Sequence, residues 1–149
     1  MRIESASVEV LKIPVSNAYQ AAGRPVDANW HVLARVRTSD GVEGVGYIVQ
    51  PRGDLMQTIA SGAAELAEHL VGMDVRDTEA AWQSLARRAN WTGPGGLLHW
   101  SLAPLDIALW DALGKSLGQS IFRMLGGFRH EVVAYASDCM WYSAPVDDL

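Results

Sequence analysis

The sequence lacks several features that mark specialised classes of protein. Cys139 is its only cysteine in 149 residues, so no internal disulfide can form, which suits a reducing, cytoplasmic location. No run of about 18 apolar residues occurs, so no membrane-spanning helix is expected. Basic residues are not in excess, because 12 Lys and Arg stand against 17 Asp and Glu and give a net charge of −5. An acidic surface repels phosphate backbones, which argues against a nucleic-acid partner.

Motifs for binding metals and phosphates are also missing. The four histidines, His31, His69, His99 and His130, are scattered, and no pair has metal-ligand spacing. Residues 92–98 are rich in glycine but lack the Lys-Ser/Thr pair of a phosphate-binding loop. These patterns predict no metal site and no nucleotide site.

The residues that are present predict an α+β domain. The chain is 49% hydrophobic and 19% charged, which is enough to form a buried core in one domain. Apolar and polar residues alternate over 6–15 and 30–38, as in half-buried strands. The Asp40-Gly41 pair is a hairpin turn signal, and Val42 to Val49 follows as a third strand. The first fifty residues therefore predict a three-stranded antiparallel meander.

The connection between the first two predicted strands is unusually long. Residues 16–29 lie there, whereas a hairpin loop normally needs two to five residues. Two interpretations are open: a functional loop, or a solvated surface loop without a function.

Three helices are predicted after the sheet. The first begins at an N-cap, Asp54, and ends at Gly72, while the second is capped by Asp77. The third has a leucine stripe that ends at Gly118. Pro104 lies inside that stripe and predicts a kink, because proline removes a backbone hydrogen bond.

Two aspartates on the third helix are candidates for different roles. Asp106 has apolar helical neighbours, so it needs donors, and backbone N–H groups of an adjacent loop are expected to supply them. A structural role is favoured over catalysis. Asp111 and Lys115 are spaced to form an i, i+4 ion pair.

A long motif resembles a known family. Residues 106–127, DIALWDALGKSLGQSIFRMLGG, precede VVAYAS and resemble the mandelate racemase and muconate-lactonising branch of the enolase superfamily. The upstream strands and helices, with DGVEGVGY, resemble that family's N-terminal domain. The resemblance implies an α+β capping domain at 1–128. It also implies that 129–149 hold the first strand, 131–137, and a helix start of an otherwise absent (β/α) barrel.

The resemblance also implies a chemistry. Family members abstract a proton next to a carboxylate, and a divalent metal, usually Mg²⁺, stabilises the enolate. Their bases and metal ligands lie on later barrel strands, so no catalytic residue and no metal ligand is assigned here. The implied parent is a racemase or acid-sugar dehydratase that binds a hydroxy or sugar acid and forms a homo-oligomer. This chain alone is expected to be inactive and to bind no Mg²⁺.

The cap of such an enzyme helps to choose the substrate. In the family, the loop between the first two strands and a loop after the third close over the barrel mouth, and here they correspond to 16–29 and about 47–54. A Tyr-Xaa-Ser pattern at the end of the first barrel strand can add a serine. The substrate-binding candidates are Tyr19, Arg24, Trp30, Tyr47 and Ser137.

Other interpretations stay open from the sequence. The chain could be a standalone, non-catalytic binding or oligomerisation module, or an unrelated α+β domain whose helix mimics the motif. Racemases, dehydratases and cycloisomerases differ in barrel residues, so the residues here do not separate them.

Overall fold

The computed structural model describes residues 1–21, 23–88, 90–93 and 95–135. An antiparallel three-stranded sheet in the order β1-β2-β3 comes first, and helices cover one of its faces. The strands are β1 (Ile3–Ala21), β2 (Arg24–Thr38) and β3 (Glu43–Gln50). The α-helices are α1 (Met56–Ala67), α2 (Thr78–Arg88), α3 (Leu97–Leu117) and α4 (Ile121–Met124), and short 3₁₀ turns lie at Glu68–Leu70 and Asn90–Thr92.

The meander predicted from alternation is confirmed. On β2, Val32, Ala34 and Val36 are fully buried against the helices, while Leu33 and Arg35 lie on the opposite face and are only partly buried. Successive side chains of a strand point to opposite faces, so this alternation makes one face of the sheet the core face.

The predicted long loop at 16–29 is wrong. β1 continues to Ala21 and β2 begins at Arg24, and the two strands pair up to Ala21 opposite Arg24. The register shifts between Pro14 and Tyr19, which is a bulge-like irregularity. On β2 the extension does alternate, since Val26 and Ala28 are buried on either side of the exposed Asp27. Two apolar positions next to Gly23 and Pro25 were too short a pattern to predict a strand.

Two glycines of β3 let α3 lie directly on the sheet. A Cβ atom at Gly44 would be 2.1 Å from the carbonyl oxygen of Ala108, and one at Gly46 would be 2.2 Å from that of Pro104. No side chain tolerates such distances, so only glycine permits this approach of helix to strand. The GVEGVGY segment is thus a docking surface for α3.

The start of α1 differs from the prediction. Its N-cap residue is Leu55, which has a left-handed backbone (φ 61°) and no side-chain capping bond. Asp54 forms an ion pair with Arg52 instead. The predicted cap at Asp54 is therefore wrong, whereas the buried stripe of α1 is confirmed at Ile59 and Ala63.

The third helix follows its prediction at the C-terminus. Gly118 is the C-cap in the left-handed conformation (φ 63°), and its N–H donates to the carbonyl of Lys115 at 3.2 Å. The helix begins at Leu97 and continues through the buried Pro104. Leu105 and Leu109 on its inner face are fully buried and join the sheet to α1 and α2.

The segment after α4 is exposed. Phe128 is 88% exposed and Tyr135 is also 88% exposed, and residues 131–135 form no strand. No strand in the described part of the chain pairs with them, and a single strand without a neighbour has no hydrogen-bonded ladder. Residues 136–149, including the predicted helix start, lie outside the described residues. The barrel strand at 131–137 and the domain boundary near residue 128 stay predictions.

Candidate functional site

An open groove lies where the β1–β2 hairpin approaches the segment after β3. Its volume is about 370 Å³. We call it the hairpin groove, and its lining residues are Lys12, Arg24, Pro25, Asp27, Trp30, Pro51, Arg52, Gly53 and Asp54. The groove therefore joins parts of the two segments, 16–29 and about 47–54, that were predicted to face a substrate.

Trp30 and Gly53 form a close contact between the two walls of the groove. Trp30 of β2 lies so close to Gly53 that a Cβ there would be 2.8 Å from its Cε2 atom. The indole is partly buried and packs against the cluster formed by Val32, Ile48 and Met56. Trp30 thus anchors the segment after β3 to the central strand.

Charged side chains surround this contact. Lys12 lies opposite Trp30 in the sheet, and its Nζ atom is 5.4 Å from the ring centroid, a cation–π distance. The same Nζ is 3.5 Å from Oδ2 of Asp27, and Arg52 pairs with Asp54. Arg24 is exposed at the start of β2. The groove thus holds three cations and two carboxylates, although the whole chain carries a net charge of −5.

The predicted substrate-binding residues fall into separate places. Arg24 and Trp30 both line the hairpin groove. Tyr19 lies on the same hairpin but outside the groove lining, and its hydroxyl donates to Oδ1 of Asn29 at 3.4 Å. Ser137 lies outside the described residues, so its role stays a prediction.

Tyr47 lies on the outer face of the sheet. It is 54% exposed, and its ring centroid is 5.6 Å from that of His31 on the neighbouring strand. The adjacent Ile48 is buried, so the alternation of the strand turns Tyr47 away from the core face that carries Trp30. The structure therefore does not bring Tyr47 into the hairpin groove, and its substrate role remains a prediction.

Sequence reasoning missed Lys12 and Arg52 as groove residues. Lys12 belongs to the polar positions of the first predicted strand and reaches Trp30 only through the register of β1 with β2. Arg52 follows β3 inside the segment that was named, but an isolated arginine carries no sequence signal of its own. The sheet register would have been needed to find Lys12, and the path of the chain after β3 to find Arg52.

Of the two aspartates of α3, Asp111 carries both the predicted ion pair and a backbone donor. Oδ2 of Asp111 accepts the backbone N–H of Val45 at 2.8 Å and pairs with Nζ of Lys115 at 2.6 Å. The predicted pair of Asp111 with Lys115 is thereby confirmed. The expected loop donors for Asp106 are wrong, because no hydrogen bond to its carboxylate occurs among the described residues; the backbone donor goes to Asp111 instead.

Asp106 lies in a second, smaller groove between α2 and α3. This groove has a volume of about 280 Å³ and is also lined by Thr78, Glu79, Trp82 and Trp110. Partial burial, and secondly the negative charge of Glu79, raise the pKa of the Asp106 carboxyl above its ordinary value. Both effects disfavour the charged form, so the ionised carboxylate of Asp106 lowers the free energy of unfolding.

The described residues do not form a site for Mg²⁺. In residues 1–135, apart from the three that are not described, no three His, Cys, Asp or Glu side chains converge as metal ligands would. The helices in this part of the chain are also too short or too polar to cross a membrane.

The fold and the groove together define a class of protein. A three-stranded antiparallel sheet followed by helices is the architecture of an enolase-type N-terminal capping domain. The chain belongs to the mandelate racemase / muconate lactonizing enzyme family, whose N-terminal domain matches residues 5–126. The family resemblance inferred from the helix motif is therefore confirmed.

Several characterised proteins are similar to the chain. L-talarate/galactarate dehydratase of Salmonella typhimurium LT2 is 32% identical over 141 residues, which are 93% of this chain and 35% of that protein. D-galactarolactone cycloisomerase of Agrobacterium fabrum is 33% identical over 138 residues, or 92% of this chain and 35% of its own length. The chain thus spans about a third of the length of these relatives.

A solved structure shares the fold of this chain. L-talarate dehydratase from Polaromonas sp. JS666, complexed with Mg and L-glucarate, superposes with a TM-score of 0.86 at 25% identity. It covers 99% of this chain, which corresponds to 41% of the Polaromonas chain.

Proposed function

We propose that this chain is the substrate-capping domain of a Mg²⁺-dependent enzyme that abstracts a proton next to the carboxylate of an acid sugar. Dehydration is the reaction that the relatives favour, because L-talarate/galactarate dehydratase and several D-galactonate dehydratases match the chain. In a dehydration, the carbon next to the carboxylate loses a proton, the neighbouring carbon loses hydroxide, and water and a keto acid result.

The hairpin groove is the observation that carries this proposal. It brings together, in one cavity of about 370 Å³, the two segments that cover the barrel mouth in the family. Polar groups in a concave site bind a substrate more effectively than the same groups on a flat surface, because fewer waters compete for them. Trp30 and the cations beside it can therefore shield the far part of a bound acid sugar from water.

The chain itself supplies binding rather than proton transfer. No three potential metal ligands converge among its described residues, and we propose that the base and the metal ligands lie in a barrel domain, as the family resemblance implies. The isolated chain is accordingly expected to be inactive. We also propose a cytoplasmic location, in line with the single cysteine, and a homo-oligomeric assembly, which only the family resemblance supports.

The test compares two proteins: residues 1–149 alone, and the product of the complete reading frame that contains them. Both are incubated with a panel of sugar acids and Mg²⁺, and the formation of keto acid is measured. We expect turnover only with the complete product, and loss of turnover when EDTA removes the metal. Turnover by residues 1–149 alone, or no turnover of any acid by the complete product, would contradict the proposal.

A further inference from the structure

Helices α2 and α3 each contribute one carboxylate and one tryptophan to the small groove between them. Glu79 and Trp82 are three residues apart on α2, and Asp106 and Trp110 are four residues apart on α3. Both spacings place two side chains on the same side of a helix. These four residues and Thr78 line the cavity of about 280 Å³, which we call the α2–α3 groove.

The negative charge of the α2–α3 groove has no cation beside it in the described part of the chain. Asp106 forms no ion pair and accepts no hydrogen bond there. Glu79 forms no ion pair either, and its Oε1 accepts a hydrogen bond from Nε2 of Gln83 at 2.9 Å. A half-buried carboxylate next to a second one is stabilised by a cation that donates N–H groups to it.

The tryptophans narrow the class of cation that fits. Trp82 and Trp110 are only partly buried, so part of each indole is accessible in the groove. Indole faces attract cations, and a planar guanidinium group stacks on them while it donates paired N–H groups to a carboxylate. A quaternary ammonium group has no N–H to donate. The cavity is smaller than the roughly 300–1,000 Å³ of most small-molecule sites, so it suits a single head group.

We propose that the α2–α3 groove binds a guanidinium group. Asp106 accepts its paired N–H donors, Glu79 supplies a second negative charge, and the two indoles lie against its plane. The α2–α3 groove shares no lining residue with the hairpin groove and takes a ligand of opposite charge to a sugar acid. A free guanidinium compound and an arginine side chain from elsewhere in the complete protein present this same group.

The first test titrates residues 1–149 at pH 7 with N-acetylarginine amide and follows the indole N–H signals by NMR. We expect saturable shifts of two indole signals with a Kd of about 1 mM, since cation–π contacts and a charge-assisted pair are gained. N-acetylcitrulline amide keeps the shape without the charge, and tetramethylammonium keeps the charge without N–H donors. Both should bind at least about 10-fold more weakly. No saturable shift, or equal binding of either control compound, would overturn the proposal.

Two matched variants assign the binding to Asp106. Asp106→Asn keeps the shape of the side chain, so the chain should stay folded while its Kd rises by about 10-fold. Asp40→Asn removes the same charge from the exposed turn after β2 and should change Kd by less than about 2-fold, because distant surface charges are screened. An unchanged Kd in Asp106→Asn, or an equal rise in Asp40→Asn, would count against the site.

The product of the complete reading frame distinguishes the two sources of the guanidinium group. If an arginine of the protein fills the groove, N-acetylarginine amide no longer binds there, and Asp106→Asn lowers the Tm of the complete product. If the ligand is a free compound, the complete product binds N-acetylarginine amide, and Asp106→Asn weakens that binding. A complete product that shows neither behaviour would overturn the proposal, whatever its activity on sugar acids.

Discussion

Two close contacts at glycines, one between β3 and α3 and one in the hairpin groove, differ in what lies against the glycine. Where β3 meets α3, Gly44 and Gly46 bring strand and helix backbones together, and Cβ atoms there would lie 2.1 to 2.2 Å from carbonyl oxygens. In the hairpin groove, a Cβ at Gly53 would lie 2.8 Å from the indole of Trp30. The first contact is backbone against backbone, and the second is backbone against a side chain.

This difference in the opposing atoms determines which of the two regions tolerates substitution. A backbone in a buried helix cannot move without disturbing the core that Leu105 and Leu109 form. A partly exposed indole can shift by a few tenths of an ångström into solvent. The β3–α3 contact therefore determines stability, whereas the groove can vary its side chains and with them its ligand.

The largest expected effect comes from filling the β3–α3 contact. The substitution Gly46→Ala places a methyl group against the carbonyl of Pro104 and the backbone N of Ala108, 2.5 Å away. We expect the free energy of unfolding to fall by about 3 kcal/mol, as for strong overpacking in a core. Urea denaturation of both proteins measures this loss.

Gly95→Ala is the matched control for that substitution. No atom lies within 4 Å of a Cβ built at Gly95, so the free energy of unfolding should change by less than about 0.5 kcal/mol. Equal losses in the two variants would mean that glycine flexibility, rather than close approach, explains the first result.

A smaller effect is expected where Asp111 ties α3 to β3. The substitution Asp111→Ala leaves the backbone N–H of Val45 without its acceptor and removes the partner of Lys115. A lost partner of a partly buried donor costs about 1–2 kcal/mol in the free energy of unfolding. Lys115→Ala removes the surface ion pair and the exposed Nζ bond to the carbonyl of Glu43 but keeps the Val45 bond, so its loss should stay below about 1 kcal/mol. A loss as large in Lys115→Ala would show that the contacts of Lys115, rather than the Val45 bond, carry the effect.

The contact between Gly53 and Trp30 should tolerate an added methyl group better than the β3–α3 contact. Gly53→Ala should lower the free energy of unfolding by about 1 kcal/mol or less, since Trp30 can move toward solvent. The displaced indole changes the wall of the hairpin groove, so KM of the complete enzyme for its sugar acid should rise while kcat changes little. A stability loss as large as that of Gly46→Ala would contradict the distinction between the two contacts.

The smallest expected effect concerns Asp106, where a substitution should raise rather than lower the free energy of unfolding. Burial and Glu79 raise the pKa of this carboxyl in the folded state, so its charged form opposes folding at neutral pH. Asp106→Asn should therefore increase the free energy of unfolding at pH 7, by up to about 0.5 kcal/mol for such a half-exposed group. The folded state binds the proton more readily, so the advantage should shrink as the pH falls through the raised pKa and vanish below the ordinary aspartate pKa of about 3.9. Urea titrations at pH 7 and at about pH 3 measure it, and an advantage of unchanged size below the ordinary aspartate pKa would exclude ionisation as its cause.

Much of the fold follows from local sequence patterns. Alternation on β2 places Val32 and Val36 in the core, and the Asp40-Gly41 turn joins β2 to β3 as predicted. Gly118 ends α3 because a left-handed residue is needed there. The hairpin extension to Ala21 was missed although Val26 and Ala28 alternate with Asp27 and Asn29 and are buried, because two apolar positions are too short a pattern to separate a strand from a loop.

The sequence by itself determined the family and the order of strands and helices, because these depend on neighbours along the chain. The tertiary structure alone decided that Lys12 meets Trp30, that Trp30 rests on Gly53, and that Asp111 rather than Asp106 receives a backbone donor. These contacts join residues far apart in sequence. Strand register and helix placement set their distances, and neither can be read from the residues on one segment.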